Sequence, residues 1–329
     1  MRIIQKRDSK MKIAFHTNEI CLRGVSVATF DYAYYNRELL GNESIALHWK
    51  GSTANHPLGI EKYKEHFEVF SYDDWSEVPD ILKREGVDLL YMQKGGEHDG
   101  KITDYCRTGV HAVFRNYEPH GDVYAYISEW LSEEMSEGVA PYVPYMLNMP
   151  QPSANMREQL SIPEHAVVIG RHGGKDQFDL PIAPTIERAA LNNRFLYFVF
   201  LNTNRFCMPL PNIIHLDPIY DLQEKSNFIG MCDAMIHARA MGESFGLAIA
   251  EFLYHDKPVI AWPGGDDQNH LKMLGETGLW YNNPDELYQH LIGITHENHK
   301  GKYNNRVEKY TPENVMNKFN QVFIEGVKK

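Results

Sequence analysis

Glu243 and Glu251 stand with seven residues between them in Gly242-Glu-Ser-Phe-Gly-Leu-Ala-Ile-Ala-Glu251. The segment reads as a loop after a strand that runs into a helix. Glu243 falls in the loop and Glu251 inside the helix, one turn beyond Leu247. The Ser244-Phe245-Gly246 turn leaves backbone N–H groups at the helix start, where the positive end of the helix dipole favours an anion. One reading is an anion site flanked by two carboxylates that accept from hydroxyl groups. The other is a capped helix with one buried, paired glutamate, and the spacing alone does not choose between them.

A second stretch, Ala166-Val-Val-Ile-Gly-Arg-His-Gly-Gly-Lys175, is an apolar strand entering a glycine-rich turn. Glycines let backbone approach an anion, and Arg171 and Lys175 would neutralise a departing diphosphate. A surface turn with two solvated charges is the plainer reading. A third stretch, Lys257-Pro-Val-Ile-Ala261, follows the helix. Taken in order, the three resemble the retaining glycosyltransferases of family 4 with the GT-B fold, and the paired glutamates resemble that family's E-x7-E motif. The match spans most of residues 140–295, including the turn at Asn148 and Asp221-Leu-Gln-Glu224 ahead of a helix. Three residues separate Arg171 from Lys175, fewer than in many members.

The resemblance implies an α/β protein of GT-B fold: two Rossmann-like domains whose parallel sheets face a central cleft. It implies retaining transfer of a hexosyl or pentosyl group from a UDP- or GDP-linked sugar to a glycan, lipid-linked or small-molecule hydroxyl. The acceptor would react on the face the diphosphate leaves, with no metal and no cofactor beyond the nucleotide sugar. Arg171 and Lys175 would bind the diphosphate and Glu251 the ribose hydroxyls. Glu243 would contact the transferred sugar, with Ser244, Phe245, Gly246 and Leu247 beside it. The base would lie near Asn202 to Arg205 and near Pro218 and Ile219. In the first half, Gly24 falls in the loop that faces the donor phosphates, and Arg23 takes a place often held by glycine. Tyr117-Glu-Pro-His-Gly-Asp122 resembles the family's histidine turn, so His120 would touch the donor sugar; a structural histidine is the competing reading. Glu97, His98 and Asp99 would meet the acceptor or serve as turn residues. The spacing of His98, Asp99, His111 and His120 matches no metal-ligand pattern. The rival functions are a nucleotide-sugar epimerase or hydrolase of the same fold, and a non-catalytic nucleotide-sugar binding protein.

These residues need a parallel sheet to hold them. Short apolar runs alternate with helix-period segments throughout, the pattern of strands covered by helices on both faces. The first half predicts strands over 12–16, 45–49, 87–93, 110–115 and 123–127, with helices over 25–40, 76–84 and 129–137, the last capped by Ser128. Four prolines in Ala140–Pro152 make a stiff linker. The second half predicts strands over 166–170, 195–201, 213–216, 234–237 and 258–262, and helices over 184–191, 222–232, 245–254, 284–294 and 312–327. The domains are therefore placed at 11–148, on the acceptor side, and 149–311, for the donor, with helix 312–327 crossing back to the first.

Composition narrows the partners. The 329 residues carry 33 basic and 44 acidic side chains, a net charge of -11. A nucleic-acid binder would normally carry a basic footprint, so the charge argues against one. Cys21, Cys106, Cys207 and Cys232 form no CxxC pair, which points to a reducing, cytoplasmic setting. No apolar run is long enough to span a membrane, and the basic start lacks the apolar core of a signal peptide.

Overall fold

In the computed structural model the described residues are 10–21, 24–296, 301 and 303–326. Arg23 and the end of the last expected helix at Val327 lie outside them. The chain forms two compact units: the residues up to Met146 together with those from Tyr310 onward, and Leu147–Lys309. The first unit thus ends at Met146, where the sequence places the boundary after Asn148.

Unit 1 runs β1 (Lys12–Thr17), α1 (Gly24–Glu38), β2 (Glu43–Trp49), α2 (Pro57–His66), β3 (Glu68–Tyr72), α3 (Val78–Glu85), β4 (Leu89–Lys94), β5 (Arg107–Ala112), β6 (Val123–Tyr126) and α4 (Glu129–Ser136). Its strands pair in parallel in the order β3-β2-β1-β4-β5-β6. Every residue of β4 is buried, as expected for a strand covered on both faces. Ser128 caps α4 by accepting from Leu131 N at 3.1 Å. Sequence reasoning misses α2 and β3. β3 is an edge strand whose residues are mostly half-exposed or exposed, so it carries no apolar run. β5 sits three residues earlier than the expected 110–115 and takes in Gly109, where a Cβ would stand 2.8 Å from the Phe323 ring.

Phe323 belongs to the returning C-terminal segment. Helix 312–327 of the sequence reading is α-helical only over Pro312–Phe319 and then widens to a π-turn over Asn320–Ile324, where Glu325 N donates to Asn320 O at 2.8 Å. Phe319 and Phe323, four residues apart, both face the sheet. Phe319 packs on Phe15, Tyr32 and Tyr91, Phe323 packs on Tyr91 and His111, and Arg107 donates to Ile324 O.

Unit 2 runs α5 (Met156–Gln159), β7 (Val167–Arg171), α6 (Ala183–Asn192), β8 (Leu196–Leu201), β9 (Ile213–Leu216), α7 (Leu222–Met231), β10 (Ala234–His237), β11 (Gly242–Glu243), α8 (Leu247–Tyr254), β12 (Val259–Ala261), β13 (Asp267–Gln268), α9 (Asn269–Leu274), β14 (Leu279–Trp280) and α10 (Pro284–Gly293). The helix of Pro312–Phe319, in unit 1, is α11. Six strands form a parallel sheet in the order β14-β12-β10-β7-β8-β9. Its core includes Phe198, Phe200, Ile186, Ile236, Ile260 and Leu287. Read from the β9 edge, this is the same order as unit 1. In such a sheet the strand order reverses at one place, between β1 and β4 in unit 1 and between β7 and β10 in unit 2. In open sheets of this kind, ligands bind beyond the carboxyl ends of the strands at that place.

Candidate functional site

At the carboxyl end of β7, successive side chains point to opposite faces of the strand. Arg171 and His172 therefore feed two different polar clusters. The Arg171 guanidinium is buried beside the Phe178 ring. It donates to Thr203 Oγ1 at 2.6 Å, Asn202 O at 3.2 Å and Gly174 O at 2.9 Å. It thereby ties the glycine turn to the loop after β8. Gly173 is required beneath it: its φ is 151° and a Cβ would meet Arg171 Nη2 at 2.9 Å. Burial lowers the Arg171 pKa to about 10, with the charge of Glu243 opposing the fall, so the group stays cationic at neutral pH. Lys175, two residues beyond Gly173, is exposed.

Glu243 ends β11, which pairs with β13. Gly242 makes the pairing possible, since a Cβ there would stand 2.0 Å from Asp267 O. His237, at the end of β10, donates from Nε2 to Glu243 Oε1 at 3.3 Å, and Arg239 donates to Oε2 at 2.9 Å. Burial would raise the Glu243 pKa, but His237 and Arg239 outweigh it and the carboxyl is held below its ordinary value. The next turn leads straight into α8. Its N-cap is Gly246, which supplies no side-chain hydrogen bond to the helix start, and Asn269 Nδ2 holds the turn by donating to Phe245 O at 2.6 Å. A clamped carboxylate thus precedes a helix N-terminus without a side-chain cap, at the switch point of the sheet.

Glu251, inside α8, is buried in the second cluster. Oε1 accepts from Lys225 Nζ of α7 at 2.5 Å and Oε2 lies 3.0 Å from His172 Nε2. Burial would raise its pKa; Lys225 and His172 reverse this and bring it to about 2.

Unit 1 has a polar group at the corresponding edge. Lys94, the last residue of β4, is buried and donates to Asp99 and, at 3.1 Å, to His120 Nε2. His120 Nδ1 donates to Glu118 O at 2.6 Å, which fixes the tautomer and leaves Nε2 as the acceptor for Lys94. Burial lowers the His120 pKa, with Lys94 adding to the fall. The His98 ring lies 4.7 Å from that of His120. Gly24 opens α1 and a Cβ there would meet nothing within 4 Å, so no close backbone approach within the chain accounts for it.

Arg171, Glu243, Ser244, Phe245, Gly246 and Leu247 therefore share one edge of the unit 2 sheet. Glu251 lies on the same helix but in its own ion pair. Pro218 and Ile219 lie between β9 and α7, while Gly24 and His120 belong to unit 1. Sequence reasoning passes over His172, Lys225, His237 and Arg239, and over Lys94 in unit 1. A signal exists for three of them: His172 follows the last residue of β7, His237 is the polar end of an otherwise apolar strand, and Lys94 ends a strand whose first four residues are apolar or aromatic. Among the described residues no group of three or more His, Cys, Asp or Glu side chains is placed to hold a metal ion, and no helix is long and apolar enough to cross a membrane.

No family model matches the chain, and no curated protein matches it. Solved structures do resemble it in fold. A glycosyltransferase from Rickettsia africae superposes with a TM-score of 0.71 at 14% identity, over 97% of this chain and 99% of that one. Sucrose-phosphate synthase from Thermosynechococcus elongatus gives 0.70 at 12% identity, over 96% and 99%. HepE from Anabaena, solved with UDP and glucose, gives 0.68 at 11% identity, over 94% and 98%. Identities this low carry the fold alone: α/β, with two six-stranded parallel sheets, as in GT-B glycosyltransferases.

Proposed function

We propose that this chain is a retaining, metal-independent glycosyltransferase that binds a UDP- or GDP-linked sugar through unit 2 and delivers the sugar to a hydroxyl of a glycan, lipid-linked or small-molecule acceptor. The observation that carries the reading is Glu243, held by His237 and Arg239 directly ahead of the α8 N-terminus, which has no side-chain cap, at the switch point of a parallel sheet. A carboxylate so placed accepts from sugar hydroxyls while the helix start and nearby cations receive the diphosphate. The resemblance to family 4 and the UDP and glucose held by HepE support the same ligand class.

In this reading Lys175, free to reach from its exposed turn, and Arg171 stabilise the charge that grows on the departing diphosphate. The diphosphate oxygen takes the acceptor proton on the face it leaves, so the protein supplies position and electrostatics and no covalent nucleophile.

The test is a thermal-shift and calorimetric screen of UDP, GDP and their sugars. A bound nucleotide at 100 times its dissociation constant stabilises by about 2.7 kcal/mol. Binding of neither nucleotide would remove the proposal. Donor conversion with no acceptor present would mark an epimerase or hydrolase instead, and activity abolished by EDTA and restored by magnesium or manganese would remove the metal-independent reading.

A further inference from the structure

Two buried polar atoms beside α8 face each other without a hydrogen bond. His172 follows β7 at the carboxyl edge of the unit 2 sheet, and Glu251 is the fifth residue of α8. Glu251 Oε1 accepts from Lys225 Nζ at 2.5 Å. Oε2 lies 3.0 Å from His172 Nε2, yet the two are not aligned to bond, and neither has another partner among the described residues. Two aromatic rings hold the imidazole in place: it stacks on Phe252 with centroids 5.6 Å apart, and Phe228 meets it edge-on at 6.3 Å. Burial lowers the His172 pKa, with Glu251 opposing the fall and Lys225 adding to it, so the ring is neutral at neutral pH and carries one N–H. A bare lone pair 3.0 Å from a carboxylate oxygen would be repelled, so that hydrogen sits on Nε2. The structure thus holds an unused donor and an unused acceptor side by side.

We infer that His172 acts with Glu251 to hold one hydroxyl of the nucleotide's ribose, Nε2–H donating to the hydroxyl oxygen and the hydroxyl donating in turn to Oε2. The inference rests on the proposed nucleotide site and adds His172 to it as the residue that reads ribose against deoxyribose. A hydroxyl both gives and takes a hydrogen bond, so it satisfies the two atoms at once. The geometry allows it: an oxygen about 2.8–2.9 Å from each atom completes a near-equilateral triangle on their 3.0 Å separation. A phosphate oxygen does not fit, because it would bring a second negative charge against Oε2. An apolar group does not fit either, since it would leave both polar atoms buried and unpaired. The His172 and Glu251 side chains are 10% and 4% exposed, which leaves room for a small group and suits a single hydroxyl. Lys225, bound to Oε1, leaves Oε2 as the oxygen open to the ribose.

The experiment titrates the wild type, His172→Phe and His172→Gln by calorimetry with UDP, 2′-deoxy-UDP and 3′-deoxy-UDP, or with the guanosine set if the wild type takes GDP. Phe keeps the ring stack and removes the donor; the Gln amide restores an N–H. Loss of one neutral hydrogen bond corresponds to roughly 2- to 12-fold in affinity. His172→Phe is expected to lose that much for UDP, and His172→Gln less. The wild type is expected to lose at least as much when one of the two hydroxyls is missing, since its absence leaves both His172 and Glu251 unpaired. For that probe His172→Phe and the wild type should bind alike, because the bond is already gone. The other deoxy probe should keep the full difference, which tells 2′ from 3′. Unchanged UDP affinity in His172→Phe overturns the inference. So does a loss of equal size with all three probes, the mark of a residue that only shapes the packing around α8. Should His172→Phe not fold, the imidazole nitrogen NMR spectrum of the wild type decides. The Nε2 resonance should move with UDP and stay with the probe lacking the contacted hydroxyl; a resonance indifferent to UDP, or shifted alike by all three, overturns the inference. A wild type that binds neither UDP nor GDP strikes the nucleotide site itself, an outcome distinct from nucleotide binding that ignores His172.

Discussion

Arg171 and Glu243 interact through charge at the switch point of unit 2, yet they are built differently, and substitutions should show it. Arg171 is buried and spends three N–H groups on two loops, so it shapes the turn as well as offering charge. Arg171→Ala should weaken nucleoside diphosphate binding by about 1.5–3 kcal/mol and also lower the melting temperature. Unchanged affinity for both UDP and GDP by calorimetry would take Arg171 out of the site. Glu243 keeps 20% of its side chain exposed and is gripped by two donors. In the proposed reaction its partner is the sugar, so Glu243→Gln should leave affinity for the bare nucleoside diphosphate nearly intact and lower turnover more than donor affinity. Equal losses in both quantities, or normal turnover, would contradict that role.

Much of the element order is legible in the chain because buried parallel strands read as apolar runs; 234–237 coincides with β10, which is buried throughout. What escapes is set by partners distant in sequence. β3 shows no apolar run, and the glycine inside β5 leaves room for Phe323, more than two hundred residues away. The same division holds at the site. The loops bearing Arg171 and Glu243 announce themselves through glycine and helix-start residues, whereas His237 and Lys225 become partners only once β10 and α7 are brought beside β11 and α8. The β5 case gives a test at this scale. Gly109→Ala should cost about 1–3 kcal/mol through overpacking on Phe323. Phe323→Ala should cost about 3–5 kcal/mol through the cavity it leaves. The added methyl partly fills that cavity, so the double variant should lose clearly less than the sum. Chemical denaturation measures all three, and strict additivity would mean the two positions do not touch.

Across the whole molecule the folded state shelters neutral histidines, and acid should find them. In unit 1, His16 has its pKa lowered to about 3, by burial first and then by the charges of Lys101 and Lys94. His111 is lowered to about 4 by burial, against opposing hydrogen bonds to the Tyr126 and Val143 carbonyls. In unit 2, His270 is lowered to about 4, by burial and then by His237, and His255 moves in the same direction. All are free to take a proton near pH 6.5 once unfolded. The folded pKa lies below the unfolded one, so the stabilisation is complete above pH 6.5 and is lost as pH falls toward 4 and 3. Each such group contributes a slope of about 1.4 kcal/mol per pH unit in that window, so His16 and His111 together give unit 1 about 3. Carboxylates add little there: the Glu251 pair, with a folded pKa of about 2, fails only below the ordinary carboxylate range. A domain of ordinary stability, about 5–15 kcal/mol, would lose much of its margin by roughly pH 4–5. Melting followed by circular dichroism from pH 7.5 to 4 should show transition temperatures level above pH 7 and falling steeply below 6.5. His111→Gln, even if less stable at pH 7.5, should show a shallower fall for unit 1. A melting temperature that stays level down to pH 4.5 would mean that these histidines are already protonated in the fold, or are reached by water.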